Sequence, residues 1–251
     1  RVGHTVIFEL TLSKLDRVVN LRSKRRLNPM YKIVPPGAFD FGDFGASLVK
    51  KSSRGMIGYD RSQFVKRASS SLLDSIDADT NRRGEVLVLL PALGTTEGYG
   101  PNRNGDGFRF SECKKAHHTF VKHARPYRHH DNKPTSPAYG RVIASALNEP
   151  MHRVELVVGL NETKEAADRN RGHIADFEIN ALERGEPLAW SMACKIAFDV
   201  CSSCRNKART RADYCDGSHC KHGGLRNNIA RTFDDGHTLH ADNPDPVFFD
   251  I

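Results

Sequence analysis

Cysteine and histidine side chains crowd into one short stretch of this chain, where their spacing is typical of a metal site. The set comprises Cys201, Cys204, Cys215, His219, Cys220 and His222. A Cys-x-x-Cys turn places two thiolates side by side, and a second group of ligands a short loop later can close a tetrahedral site. The pattern predicts a zinc-binding knuckle over residues 201–224, with Cys201, Cys204 and Cys215 as ligands. No open coordination position is evident, so we expect structural zinc.

The fourth ligand of this knuckle is left open by the sequence. Cys220 would complete a four-thiolate site, whereas His219 or His222 would complete a site of three thiolates and one imidazole. The alternative is a set of unpaired or disulfide-bonded cysteines. Because the cysteines cluster in one part of a large chain, a metal in a reducing compartment is favoured.

A serine, Ser191, lies within a segment that alternates like a β-strand. Within residues 186–198, every second residue from Leu188 onward is bulky and apolar, and the opposite face carries mainly small residues. This period of two predicts that the bulky face packs in the core. Small neighbours leave room for a substrate to approach the Ser191 hydroxyl, as a nucleophile requires. The alternative is an ordinary serine on a half-exposed strand.

Histidines are dense between Ala116 and Asp131, and one of them suits proton transfer. They are His117, His118, His123, His129 and His130. His130 directly precedes Asp131 in a polar turn. An imidazole can accept a hydroxyl proton near neutral pH, and a carboxylate can fix its tautomer. The alternatives are a solvated loop and a metal-binding histidine patch.

Apolar patterning predicts the elements that must position these groups. The predicted strands cover residues 85–90, 139–147, 153–160 and 186–198, and the predicted helices cover residues 62–76 and 174–182. We expect four regions: an irregular, basic N-terminal extension (1–84), a core (85–200), the knuckle (201–224) and a C-terminal strand that returns to the core (225–251).

The order of the motifs resembles the head-maturation (prohead) proteases of tailed bacteriophages, serine proteases similar in fold to the herpesvirus assemblins. The motifs cover residues 104–108, 129–132, 139–142, 153–158, 182–185 and 190–195. In that family a His-Asp turn precedes a strand that begins Gly-x-Val, and a later strand carries the nucleophile in a Ser-x-Gly pattern. The resemblance implies an α+β fold with a mostly antiparallel, barrel-like β core and flanking helices.

Carried over residue by residue, the resemblance makes Ser191 the nucleophile and His130 the general base. His129 is the less favoured candidate for the base. Family members often have an acidic residue in a late strand, and the C-terminal Phe-Phe-Asp-Ile is similar to it. Asp250 is therefore the first candidate for the group that orients the histidine, and Glu155 is the second. The chain departs from the family at position 193, where alanine replaces the usual glycine on the oxyanion side.

The resemblance implies a serine endopeptidase that processes scaffold and capsid proteins, and itself, inside an immature phage head. Its location would be the prohead or virion, assembled in the bacterial cytoplasm, with capsid and scaffold proteins as partners and a homo-oligomer as an option. One alternative is a protease-derived structural component of a virion that has lost activity. Another is a zinc-containing nucleic-acid-binding protein, which the net charge of +8 favours.

Composition excludes other classes of protein. A chain of 251 residues with 38% hydrophobic residues can bury a core and is not wholly disordered. No run approaches the roughly 18 consecutive apolar residues of a membrane span. Basic segments at 22–26 and 205–211 predict either weak DNA contact or a solvated surface. A start without an initiator Met or a signal-peptide layout predicts a processed or incomplete chain.

Overall fold

The fold was obtained as a computed structural model, which describes residues 30–34, 47–51, 61–66, 68–78, 84–133, 136–186, 188, 190–218 and 220–251. The strands in these ranges are β1 (Met30–Val34), β2 (Ser47–Lys51), β3 (Glu85–Gly94), β4 (Asp106–Gly107), β5 (Gly140–Asn148), β6 (Arg153–Asn161), β7 (Met192–Ile196), β8 (Asp199–Cys201), β9 (Lys207–Ala208), β10 (Ala241–Asp242) and β11 (Val247–Asp250). The helices are α1 (Arg61–Phe64), α2 (Ser70–Ala78), α3 (Thr96–Tyr99), α4 (Phe110–Ala116), α5 (His118–His123), α6 (Lys164–Arg169), α7 (Asp176–Glu183) and α8 (Leu225–Asn228), with 3-10 turns at Arg128–His130 and Arg211–Asp213. None of these described helices is long and apolar enough to cross a membrane.

The strands form three sheets, and the protein is an α+β fold built mainly from antiparallel ladders. One sheet has the order β2-β3-β6-β5, a second has the order β1-β7-β11, and a small third has the order β4-β10-β8-β9. The β4–β10 pair is parallel. Closing a barrel requires ladders that continue around the whole ring of strands. Because no ladder among the described strands joins these sheets, the expected barrel-like core is corrected to separate sheets.

The first sheet is buried on both faces, which explains the continuous apolar runs in its sequence. Along β3, Val86 and Val88 pack into the main core, whereas Leu87 and Leu89 face the other side. Helix α2 covers that other side with its buried apolar residues. A sheet covered on both faces needs apolar residues on both faces, so apolar and polar residues do not alternate along its strands.

The described parts of the N-terminal region, which was predicted to be an irregular extension, include strands and helices. In its described parts, β1 pairs antiparallel with β7, and β2 pairs antiparallel with β3. The single helix expected over residues 62–76 is instead two helices, α1 and α2. Short edge strands form because a distant ladder partner is present, and their own sequences carry little periodic signal.

The strand that carries the predicted nucleophile is shorter than its alternating pattern indicates. The pattern extends over residues 186–198, but β7 begins only at Met192 and ends at Ile196. Ser191 therefore precedes the first residue of the strand. On the side of β7 opposite β1, the C-terminal strand β11 returns to the core and pairs antiparallel with it.

A buried lysine ties β1 to the knuckle. The Lys32 side chain is 4% exposed, and its Nζ atom donates to Asp106 Oδ1 (2.8 Å) and Asp199 Oδ2 (2.9 Å). The same atom lies 3.3 Å from the hydroxyl of Tyr214, which also donates to Asp199. Burial alone would lower the pKa of Lys32, but the two carboxylates outweigh it and raise the pKa above its usual value. The ammonium group is therefore charged.

Replacing Lys32 with Met should destabilise the fold strongly, because Asp106 and Asp199 would remain buried without a cation. Removing one partner of a buried ion pair costs about 3–5 kcal/mol, which urea-induced unfolding can measure. The control is Lys164→Met, since Lys164 forms an exposed ion pair with Asp168 at 2.8 Å. Such exposed pairs contribute less than about 1 kcal/mol. Equal losses of unfolding free energy in the two variants would contradict this role of Lys32.

Candidate active site and metal centre

A serine, a histidine and an aspartate from three distant segments form a hydrogen-bonded triad. The Ser191 Oγ atom lies 2.6 Å from His130 Nε2, and His130 Nδ1 lies 2.8 Å from Asp250 Oδ2. An ionised carboxylate can only accept, so the contact with Asp250 assigns the imidazole proton to Nδ1. Nε2 then carries the lone pair that can receive the hydroxyl proton of Ser191. His129, the alternative candidate for the base, does not take the position next to Ser191, and its side chain is exposed.

Burial decreases along the triad from the carboxylate to the imidazole. The Asp250 side chain is 0% exposed and that of His130 is 21% exposed. The side-chain amide of Asn132 donates to the same Asp250 oxygen, whereas Asp250 Oδ1 has no partner among the described residues. A buried carboxylate stabilises a positive charge on a neighbouring imidazole more than a hydrated one would. Asn132 was not predicted as a site residue, although it ends the His-His-Asp-Asn motif.

The turn that carries His130 has a strained backbone. His129 has a φ of 52° and His130 a φ of 54°, which is the left-handed region. Each such residue costs on the order of 1–3 kcal/mol, and such strain is found at functional sites. Arg128 fixes the start of the turn through two hydrogen bonds with Glu178, of 2.7 and 2.9 Å. The backbone N–H of Asn132 donates to the His130 carbonyl and fixes its end (2.8 Å).

Backbone contacts on two sides set the position of Asp250 relative to His130. The segment before the turn lies beside the C-terminus, where the Tyr127 N–H donates to the Ile251 carbonyl (3.0 Å). In return, the Ile251 N–H donates to the Arg125 carbonyl (3.2 Å). On its other side β11 pairs with β7, with a bulge just before Asp250. A bulge redirects the following side chain, and bulges are frequent next to active sites.

Aromatic packing anchors β11 to helix α5. The rings of Phe248 and Phe120 are stacked, with centroids 4.2 Å apart and planes 4° from parallel. Both side chains are fully buried. The Thr119 hydroxyl accepts the Phe248 N–H at 3.0 Å. Because this contact combines apolar burial with ring stacking, α5 fixes the strand that ends at Asp250.

Glu155, the second acidic candidate, lies in a different hydrogen-bond network. Its fully buried carboxylate accepts from the Asn148 amide (2.9 Å), the Arg153 guanidinium (2.8 Å) and the backbone N–H of Ser69 (2.8 Å). These donors explain why a buried carboxylate is tolerated in β6. Glu155 is therefore corrected from a possible orienting group to a structural anion, and Asp250 is the carboxylate that contacts the histidine.

A cleft of about 490 Å³ opens beside Ser191 and His130. Its apolar lining includes Tyr139, Leu160, Phe177, Leu188, Trp190 and Ile251. This volume is within the range of about 300–1,000 Å³ that is usual for ligand pockets. A substrate group can therefore lie directly beside the Ser191 hydroxyl. Sequence reasoning did not find the cleft, because its lining residues come from separate segments with no common pattern.

Four side chains of the knuckle converge as metal ligands would. The ligand atoms of Cys201, Cys204, Cys215 and His222 all lie within 4.8 Å of one another. His222 Nε2 is 3.7 Å from Cys201 Sγ and 3.8 Å from Cys215 Sγ. A tetrahedral zinc ion, with Zn–S of about 2.3 Å and Zn–N of about 2.0 Å, separates its ligands by roughly 3.5–3.8 Å. The cluster can therefore hold a metal ion, and its geometry is compatible with zinc.

Of the three candidates for the fourth ligand, His222 rather than Cys220 lies in the group of four whose ligand atoms are mutually close. The Cys220 thiol interacts with those of Cys204 and Cys215 but lies outside that group. The turn after Cys220 closes with a hydrogen bond from the Gly223 N–H to the Cys220 carbonyl (3.0 Å). This turn carries His222 to the other ligands. His219, the remaining candidate, lies outside the described residues.

Metal analysis of two variants tests this choice of ligand. His222→Ala should lose the metal, because the cluster would keep only three ligands, whereas Cys220→Ser should retain it. Purified proteins are dialysed against a mild chelator, and the number of metal ions per chain is measured by inductively coupled plasma mass spectrometry. We expect one ion per chain in the wild type and in Cys220→Ser, and almost none in His222→Ala. The reverse pattern would make Cys220 the ligand.

Comparison of the chain with protein-family models, curated proteins and solved structures finds no match. Both sites are therefore defined by side-chain geometry within this chain. At the triad three segments meet in a hydrogen-bonded series, and at the knuckle four side chains lie close enough together to hold a metal ion.

Proposed function

We propose that this chain is a serine endopeptidase of the prohead-protease type. The observation that carries the proposal is the triad, with 2.6 Å between Ser191 Oγ and His130 Nε2 and 2.8 Å between His130 Nδ1 and Asp250 Oδ2. Along the chain the order is His, Ser, Asp, which differs from the orders in chymotrypsin, subtilisin and the α/β-hydrolases. Such triads are recognised by geometry and roles rather than by sequence order.

In the proposed reaction, the hydroxyl proton of Ser191 passes to His130 Nε2 while Oγ bonds to the carbonyl carbon of a peptide. Asp250 holds the Nδ1–H proton in place and stabilises the imidazolium that forms. The imidazolium then gives its proton to the leaving amine as the C–N bond breaks, which leaves an acyl-enzyme. Water attacks the acyl-enzyme with His130 as the base, and the acid is released as the Ser191 hydroxyl is restored.

Scaffold and capsid proteins, and the chain itself, are the substrates that this proposal assigns, within a prohead of a bacterial host. The support is the order of short motifs over residues 85–198, which is similar to that of the prohead proteases. The contact between the Asp250 side chain and His130 in the His-Asp turn adds support, because the resemblance implies this pairing. Capsid and scaffold partners, and a homo-oligomer, belong to the same proposal.

Zinc is the metal that we assign to the cluster of three cysteines and His222. Thiolate and imidazole ligands in tetrahedral arrangement favour zinc over cations that prefer oxygen ligands. All four positions are filled by side chains, as in structural sites. The apolar cluster around the knuckle is small and includes Tyr214, Leu225 and Leu239. Metal binding would therefore supply much of the free energy that orders this loop.

Specific observations favour two other functions. Ala193 stands where the prohead proteases usually have glycine, which favours a structural virion component without activity. Exposed Arg209, Arg211 and Lys221 favour phosphate contact by the knuckle. Tyr214, the one Phe, Trp or Tyr residue of the knuckle, is 4% exposed and is therefore not available to stack on a base. Nucleic-acid contact would accordingly be electrostatic and would weaken steeply with salt.

Labelling with an alkyl fluorophosphonate tests the nucleophile. The wild type should gain one covalent adduct, measured by intact mass, and Ser191→Ala should gain none, because the reacting oxygen is absent. The matched control is Ser145→Ala, since Ser145 Oγ also contacts a histidine, His117 Nδ1, at 3.0 Å, and we expect it to label like the wild type. Identical labelling of the wild type and Ser191→Ala would contradict the proposal.

Asp250→Asn should slow the labelling by on the order of 10³–10⁴-fold, because an amide favours the wrong imidazole tautomer and cannot stabilise the imidazolium. The rate is followed by intact mass, and urea-induced unfolding checks that the variant is folded. Asp245→Asn is the control, because Asp245 is exposed and precedes the same strand. A loss of less than about tenfold for a folded Asp250→Asn would remove Asp250 from the proposed mechanism.

A further inference from the structure

The cleft beside Ser191 has an aromatic wall. Tyr127, Tyr139, Phe177 and Trp190 line it together with aliphatic residues. Phe177 is 63% exposed and is the one aromatic side chain among the large apolar residues that are exposed in the described ranges. An aromatic ring that is exposed beside a nucleophile can contact a bound group and bury area on binding.

The charged groups of the cleft neutralise each other. Arg128 and Glu178 both line it and form two hydrogen bonds with each other, of 2.7 and 2.9 Å. The Arg128 guanidinium also lies 4.2 Å from the centroid of the Tyr139 ring. A bidentate pair of this kind satisfies both charges, so neither is available to a charged group of a substrate. A charged side chain in this cleft would lose hydration without gaining a partner.

We propose that this cleft is the subsite for a large uncharged apolar side chain, such as that of Phe or Leu, on the acyl side of the cleaved bond. This inference rests on the proposed function, because it gives the substrate class of the same site. The volume of about 490 Å³ is ample for an aromatic side chain packed against Phe177 and Trp190. Burial of such a side chain favours reaction over that of a small one by roughly 10- to 100-fold.

Peptidyl diphenyl phosphonates measure this selectivity. Ser191 Oγ bonds to phosphorus, a phenoxide leaves, and the hydroxyl proton ends on the released phenol. Four probes share one peptide and differ in the side chain next to phosphorus, which is that of Phe, Ala, Asp or Lys. We expect the Phe probe to react roughly 10- to 100-fold faster than the Ala probe. We expect the Asp and Lys probes to react more slowly than the Ala probe.

Two variants and one control connect the selectivity to the cleft. Phe177→Ala should lower the ratio of the Phe rate to the Ala rate, because the side chain would lose part of its apolar contact. Glu178→Ala leaves the Arg128 guanidinium without its carboxylate, and should raise the rate of the Asp probe relative to the Ala probe. Val121→Ala is the matched control, since Val121 is also an exposed apolar residue (44%) but does not line the cleft. Its ratios should equal those of the wild type.

An alkyl fluorophosphonate, which carries no side chain for the cleft, distinguishes the two ways in which this experiment can fail. If it labels Ser191 but the four phosphonates react at similar rates, or a charged probe reacts fastest, the apolar subsite is overturned and the proposed function stands. If the fluorophosphonate does not label Ser191, the proposed function and the subsite are both overturned. Unchanged ratios in Phe177→Ala would also overturn the subsite.

Discussion

Strand β7 is the constraint on which both sites depend, because it is the central strand of the β1-β7-β11 sheet. Its ladder with β11 positions Asp250, and its ladder with β1 positions Lys32. Ser191 directly precedes β7. The two ladders of β7 therefore also set the position of Ser191 relative to Asp250 and to the knuckle. Side chains alternate between the two faces of a strand. A slip of one residue in the β7–β11 ladder would therefore turn Asp250 away from His130.

The turn that carries His130 combines backbone strain with contacts that compensate for it. The left-handed conformations of His129 and His130 each cost on the order of 1–3 kcal/mol. The charge-assisted hydrogen bonds between Arg128 and Glu178, and the contact of His130 with Asp250, act in the opposite direction. Because these contacts over-determine the turn, the imidazole has little freedom to leave the serine. The same Arg128–Glu178 pair forms part of the cleft wall, so base orientation and cleft polarity depend on one ion pair.

Local sequence signals predict the buried strands well, and they fail where distant segments must pair. Strands β3, β5 and β6 begin within one residue of their predicted starts, since each is an apolar run bounded by turn residues. The order of the His-Asp turn and the serine segment led, through the family resemblance, to Ser191, His130 and Asp250. The ladder of β1 with β7 was not predictable, because its two strands are far apart in the chain. Separate sheets cannot be told from a barrel by local patterns, since closure depends on twist and on contacts between edges. The choice of His222 over Cys220 depends on the path of one short turn.

The metal cluster and the triad share no residue, yet buried charges connect them. Tyr214 directly precedes the ligand Cys215, and its hydroxyl lies 3.3 Å from the Lys32 ammonium, which also pairs with Asp199. Lys32 lies in β1, whose ladder with β7 extends to the residue after Ser191. A buried charge that loses its partner costs several kcal/mol. Disorder in the knuckle would therefore destabilise β1 far more than the loss of a surface contact would. A metal ion bound at the knuckle would therefore act on Ser191 through packing and charge and without contact with the triad, because side chains would fill all four of its ligand positions.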